Sequence, residues 1–226
     1  MQTLPNSPWH LVHNLIFNSY ILHADFSFKR TSESLQKVLV TFGFLCALPL
    51  LALVYCVLRL ESRGNPIYKQ QRIGLHGREF TTYKFRSMYI PSDPRFIDVS
   101  TLQSDREGIC KKLKKDPRIT PIGRFIRKYS IDELPQLWNI VKGDMVLVGP
   151  RPALPEEVAQ YNELAKKRLS VMPGLTGLWQ ISGRADTSFE EQINLDLRYI
   201  QKKSLLSDLI IIFHTPATVL SARGAY

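Results

Sequence analysis

The stretch SIDELPQLWNIVKGDMVLVGPRP, from Ser130 to Pro152, sets two carboxylates side by side, Asp132 and Glu133, and ends in an arginine between two prolines, Pro150-Arg151-Pro152. Adjacent acids suit two kinds of work. One is structural: Ser130 and Glu133 have capping-box spacing, and Asp132 fits an N-cap with Pro135 in the first turn, where a missing N–H costs little. The other is chemical. Within a regular helix neighbouring side chains point about 100° apart, but at a helix start both can reach one ligand. Free N–H groups there favour an anion such as phosphate. Carboxylates repel phosphate unless a cation intervenes, and Mg²⁺ bridges carboxylate and phosphate oxygens in this way. One carboxylate can then attack phosphorus, as in aspartyl-phosphate enzymes, while arginines neutralise the charge of the transition state. Arg151, with φ fixed in both flanking residues, is a preorganised candidate.

The chain around this stretch has 226 residues, enough for one substantial domain plus an appendage. It carries 30 Lys+Arg against 20 Asp+Glu, a net charge of +10, which favours anionic partners. Its three cysteines, Cys46, Cys56 and Cys110, show no CxxC spacing, which fits a reducing compartment. No cysteine or carboxylate set completes a zinc site with His10, His13, His23, His76 or His214. There is no GxGxxG, no P-loop and no signature of a nucleic-acid fold.

An uncharged run from Val38 to Leu58 is long enough to cross a bilayer as a helix. Pro49 sits inside it, and basic residues flank both ends: Lys29, Arg30 and Lys37 before, Arg59, Arg63, Lys69 and Arg72 after. Positive flanks stay cytoplasmic, so positive charge on both sides predicts a re-entrant helix–break–helix that turns at Pro49. The aromatic stretch before Asp25 suits a membrane interface and a loosely packed extension equally well.

Beyond the run, Gly74 and Gly77 mark a turn between two strand-like stretches, and Lys84 and Arg86 in TTYKFRSM share one face if extended. Residues 91–110 read as a polar loop. Residues 111–128 hold eight Lys/Arg and one acid, and Ile122, Phe125, Ile126 and Tyr129 make one apolar helical face with Arg124, Arg127 and Lys128 opposite. Such a basic amphipathic helix suits a membrane surface or a phosphate. PEEVAQYNELAKKRLSV (155–171) predicts one helix, with acids early and bases late. PGLTGLWQISGR reads as a glycine-rich turn region, and LLSDLIIIFHTPATVL is apolar but too interrupted to span.

The motifs KFRSM, DPRITPIGRFIRKYSIDELPQLWNIVKGDMVLVGPRP, PGLTGLWQISGR and the terminal RGAY closely resemble the bacterial sugar transferases, the monotopic polyprenyl-phosphate phosphoglycosyl transferases. The resemblance covers residues 29–226. It implies transfer of a sugar 1-phosphate from a UDP-sugar donor to undecaprenyl phosphate, with release of UMP, dependence on Mg²⁺ and a covalent intermediate. It also implies a place on the bacterial inner (cytoplasmic) membrane, the catalytic domain on the cytoplasmic face of the bilayer. Carried onto this chain, Asp132 is the expected nucleophile and Glu133 its partner, both holding the metal. Arg151 in the Pro150-Arg151-Pro152 motif is the expected phosphate or nucleotide contact, and Arg127, Lys84, Arg86 and Arg184 are further substrate-binding candidates. The chain departs from the pattern in having Glu33 for the usual aspartate, Leu48 for the usual serine before Pro49, and Ile131 for leucine at the dyad.

Residues and resemblance together predict a mainly helical α+β protein. It has an N-terminal extension at 1–28, a re-entrant membrane helix at 29–63, and a compact cytosolic catalytic domain at 64–226 with interfacial amphipathic helices and a small β element. No nucleic-acid partner is expected. The competing readings are an inactive membrane-associated scaffold, a basic anion-binding protein and a phosphohydrolase.

Overall fold

The computed structural model describes residues 26–101, 103–105, 109, 113, 115–222 and 224. Most of the N-terminal extension, with His10, His13 and His23, and most of the lysine cluster at 111–114 lie outside the described residues. The fold is mainly helical with two small sheets, the α+β class that the sequence predicts.

Helix α1, Phe26–Glu61, is the longest element. From Gln36 to Glu61 it has a mean hydropathy of 2.4, long and apolar enough to cross a membrane. The helix–break–helix predicted to turn at Pro49 is not what forms: one continuous helix runs through Pro49. A proline there removes a single backbone bond and permits a bend without ending the helix. One stripe of α1, at three- and four-residue spacing, faces the rest of the protein. Val40 packs with Ile140 and Met145, and the Phe44 ring lies 5.9 Å from that of Trp138. Leu51, Val54 and Leu58 pack with Phe85 and Ile126. Both halves of the helix therefore rest on the same domain. Between Val38 and Leu53 the outward-facing side is exposed and apolar, with Val38, Leu39, Phe42, Leu45, Leu48, Leu50 and Leu53 all open.

The exit from α1 is tied down by charge. Arg86 donates from Nη1 to the carbonyl of Arg63 (2.7 Å) and from Nη2 to the carbonyl and hydroxyl of Ser62 (2.9 and 2.8 Å). Carbonyls at a helix end lack intrahelical donors, and a cation suits the negative end of the dipole. Glu61 accepts from the Thr120 hydroxyl (2.7 Å) and the Ile122 amide (2.8 Å), which joins the end of α1 to the start of α2, Pro121–Lys128. Within α2 Ile126 is buried and Ile122 half-buried, as the periodicity predicts. Phe125 is exposed, its ring stacked edge-on with Tyr129.

Strands β1, Ile67–Ile73, and β2, Glu79–Phe85, form the antiparallel hairpin predicted around Gly74 and Gly77. Its turn holds His76 and Gly77 at positive φ (53° and 82°), a region that glycine enters freely. A short 3-10 turn, Ile131–Gln136, follows α2 and runs into α3, Leu137–Lys142. Strands β3, Val146–Val148, and β4, Gly174–Thr176, pair in parallel. Between them lie α4, Pro155–Val158, α5, Glu163–Lys166, and a 3-10 turn, Lys167–Ser170. The single helix predicted over 155–171 is thus interrupted. Tyr161 turns into the core, and Asn162 caps α5 by accepting from the Ala165 amide (2.8 Å). Asparagine favours such caps over helix interiors.

The glycine-rich stretch contributes β4 and α6, Leu178–Ile181. It is followed by α7, Phe189–Gln201, and α8, Leu205–Ser221, a continuous helix despite Pro216. The main core joins β3, α6, α7 and α8 through Val148, Leu178, Trp179, Ile181, Leu195, Tyr199 and Ile211.

Candidate active site

The dyad lies in the 3-10 turn between α2 and α3. Ser130 enters it in the left-handed region (φ 53°), an uncommon conformation for a residue with a Cβ. The capping box does not form: the Ser130 side chain makes no capping bond, and Asp132 lies inside the turn. Glu133 turns to cations instead. Its Oε1 accepts from Lys84 Nζ (2.7 Å) and from Arg151 Nη1 (3.0 Å). Asp132 makes no hydrogen bond or ion pair with the described residues.

Four elements bring these groups together. Buried Asn139 on α3 donates to the Thr81 carbonyl (2.7 Å) and accepts from the Tyr83 amide (3.2 Å). It clamps α3 onto β2, so that Lys84, the next residue of the strand, projects at the dyad. Parallel pairing of β3 with β4 carries the chain into Pro150-Arg151-Pro152. Gly149 donates to the Thr176 carbonyl (2.9 Å) and Gly174 to that of Pro150 (2.8 Å). A Cβ on Gly174 would collide with the Gly149 backbone, so glycine is required for this approach.

The two carboxylates have opposite electrostatics. Burial and the charge of Glu133 push the Asp132 carboxyl up to about 6, against the pull of Lys84, Arg127 and Arg151. Burial also works against the Glu133 charge, but Arg151 and Lys84 outweigh it and hold that carboxyl well below its usual range. Burial lowers the Lys84 ammonium to about 8, opposed by Glu133. Glu133 holds Arg151 above the usual guanidinium range.

The other predicted residues divide. Arg127 and Arg184 lie within electrostatic reach of Asp132, Arg184 also of Glu133 and Arg151. Arg86 is not brought to the dyad; β2 ends at Phe85, and its guanidinium closes the end of α1 instead. Pro150 and Pro152 are buried beside Arg151 and lend their carbonyls to the frame. Arg72, not singled out from the sequence as a site residue, lies buried across the hairpin and donates to the Pro152 carbonyl (3.0 Å). Lys84, Arg127, Arg151 and Arg184 lie within electrostatic reach of the dyad, and Arg72 within reach of Arg151, Glu157 and Glu133, an excess of cations that suits a multiply charged anion.

Among the described residues no group of three or more His, Cys, Asp or Glu forms a cage for a metal. The donor set present fits a different mode. Mg²⁺ is commonly held by one or two carboxylates together with substrate phosphates. Asp132 is uncommitted and Glu133 keeps Oε2 outside its two ion pairs, which both use Oε1.

Comparison with known proteins bears on this arrangement. The profile described as bacterial sugar transferase matches residues 26–222. Galactosyl transferase CpsE of Streptococcus agalactiae is 48% identical over 174 residues, covering 76% of this chain and 38% of that protein. The undecaprenyl-phosphate galactose phosphotransferase of Salmonella typhimurium is 41% identical over 209 residues, 88% of this chain and 43% of that protein. The exopolysaccharide production protein ExoY of Sinorhizobium fredii is 42% identical over 199 residues, 87% of this chain and 88% of that protein. The chain therefore spans less than half the length of the first two relatives and most of the third. The matched span takes in the long apolar helix, the dyad turn and the Pro-Arg-Pro frame together, and on that ground the chain belongs to the bacterial sugar transferase family.

Proposed function

We propose that the chain moves a sugar 1-phosphate from a UDP-sugar to undecaprenyl phosphate on the cytoplasmic face of the bacterial inner membrane, as an opening step of exopolysaccharide or capsule synthesis. The observation that carries this reading is the division of labour in the dyad. Oε1 of Glu133 is held by Lys84 and Arg151, while Asp132 makes no hydrogen bond or ion pair among the described residues and, with its carboxyl raised to about 6, is mostly ionised at pH 7. A carboxylate with no competing partner is free to attack; one locked between two cations is free to orient them.

In the proposed sequence an Asp132 oxygen attacks the phosphorus that carries the sugar. The bond from that phosphorus to the bridging oxygen breaks, and UMP leaves with the electron pair. An oxygen of the lipid phosphate then attacks the same phosphorus, the bond to Asp132 breaks, and the carboxylate is restored with a lipid diphosphate sugar as product. Arg151 and Lys84 neutralise phosphoryl oxygens, and Arg127 and Arg184 receive the remaining negative charge. Mg²⁺, held by Asp132 and Oε2 of Glu133 with the donor phosphates, would supply further neutralisation of the diphosphate.

Release of UMP from UDP-galactose, UDP-glucose and other UDP-sugars by the detergent-solubilised protein tests the function. A stoichiometric burst without lipid that becomes turnover with undecaprenyl phosphate is the expected result. Hydrolysis to free sugar phosphate irrespective of lipid would replace the transferase with a phosphohydrolase.

Protons and Mg²⁺ compete for the same Asp132 oxygens. The carboxyl is raised to about 6, so it is mostly ionised at pH 7 and takes up its proton as pH falls through 6. The Mg²⁺ concentration for half-maximal UMP release is expected to rise about tenfold per pH unit below that point. A half-saturation that stays flat from pH 7 to 5 would remove Asp132 from the metal site.

Both halves of α1 pack on one domain, which supports a re-entrant helix with both ends cytoplasmic. Lys37→Cys and Arg59→Cys, each in a background lacking Cys46, Cys56 and Cys110, are expected to resist a membrane-impermeant maleimide applied to intact cells. Labelling of either one would make α1 a span.

A further inference from the structure

Resting on the reading of Arg151 above, the surroundings of the Pro-Arg-Pro segment assign a role to residues remote from the dyad. Three successive carbonyls are each pinned. The Pro150 carbonyl accepts from the Gly174 amide at 2.8 Å, that of Arg151 from Arg168 Nη2 at 2.9 Å, and that of Pro152 from Arg72 Nη1 at 3.0 Å. The pyrrolidine rings already fix φ at 150 and 152. With the carbonyls held as well, the peptide planes on both sides of the Arg151 Cα lose their remaining rotation.

Arg168 is itself fixed from behind. Its Nη2 also donates to Asp196 Oδ2 (2.6 Å), and its Nη1 donates to the Tyr161 hydroxyl (2.6 Å). Arg168 is 3% exposed and Asp196 1% exposed. An ion pair this deep adds little to stability over apolar residues of the same volume, because desolvation offsets the attraction. Its guanidinium reaches what an apolar side chain cannot, the backbone of Arg151. The partners come from separate elements: Arg168 from the 3-10 turn after α5, Asp196 from α7 and Tyr161 from the loop before α5. The main body of the domain thus fixes the backbone from which the Arg151 side chain extends.

We infer that Arg168, held by Asp196 and Tyr161, is a positioning residue that aims Arg151 at Glu133 and the donor diphosphate. A displacement of about 1 Å at such a group is enough to cost roughly 10²-fold in rate.

The test uses the full chain in detergent with Arg168→Lys, and with Asp196→Asn as a second, milder variant that keeps an acceptor for Arg168. The first readout needs no activity. Amide hydrogen exchange in the peptide covering 149–154 is expected to speed up in Arg168→Lys, while that of α8 stays as in the wild type. The second readout is coupling. Arg168→Lys alone is expected to lower turnover about 10²-fold, yet less than about threefold in an Arg151→Lys background, because the two act as one unit. Asp196→Asn is expected to fall between wild type and Arg168→Lys in both readouts. Unchanged exchange at 149–154, or losses that multiply in full in the double variant, would overturn the inference. A wild type that releases no UMP would count against the function proposed above, and the exchange readout would still decide the positioning role.

Discussion

Replacing Asp132 by asparagine is expected to lower UMP release by at least about 10³-fold, the scale seen when a nucleophile is removed from a preorganised site. The amide is close to the carboxylate in size but is a poor nucleophile, and it cannot carry the charge that a metal would share with the donor phosphates. The variant should fold normally. Burial and Glu133 raise the Asp132 carboxyl above its usual range, so the ionised form is the costly one in the folded protein. Above pH 6 the neutral amide relieves that cost, and the melting temperature should equal or exceed that of the wild type. Retained activity would remove Asp132 as nucleophile, and a large loss of melting temperature would make its role structural.

Arg151→Lys is expected to lower turnover about 10²-fold, the scale for loss of one preorganised donor to a developing oxyanion. Lysine keeps the charge but not the planar fork. In the wild type one arm of that fork, Nη1, already holds Glu133 at 3.0 Å, which leaves the other arm for a phosphate. An ammonium on a flexible stem does not keep both geometries. Glu133 would retain Lys84 at 2.7 Å, so the dyad should stay ionised and the defect should fall mainly on the handling of the donor. Near-normal turnover in this variant would confine Arg151 to a structural part.

How far the site could be read from sequence depends on how local each relation is. The dyad and the Pro-Arg-Pro motif are each contiguous in sequence, so both stand out as candidates from residue type and backbone constraint, while the roles expected of them come from the family resemblance. The hairpin was legible from Gly74 and Gly77, and the apolar helix from its length. Lys84 and Arg86 share a face only in an extended strand; β2 ends at Phe85, alternation stops there, and Arg86 turns back to the end of α1. The capping box was plausible from spacing, but two cations from distant elements outcompeted the local backbone for Glu133. Arg72 could be placed beside the site only through the strand register, which sets it opposite Phe80 on the face that carries Lys84. Arg168 and Asp196 are 28 residues apart and carry no local motif; their pairing exists only after the elements between β3 and α7 have folded. The interrupted helix over 155–171 shows the same limit, since acids early and bases late fit one helix or two short ones equally well.

The proposed mechanism turns on a covalent bond between Asp132 and the phosphorus of the transferred group. It is tested most directly by acid-quenching the protein after incubation with its UDP-sugar and Mg²⁺ in the absence of lipid, and mapping the adduct by peptide mass spectrometry. A gain of one sugar phosphate is expected on the peptide containing Asp132. The adduct should be lost on adding undecaprenyl phosphate and absent in Asp132→Asn. Full turnover with lipid but no adduct without it, or an adduct on another residue, would point to direct transfer or a different nucleophile.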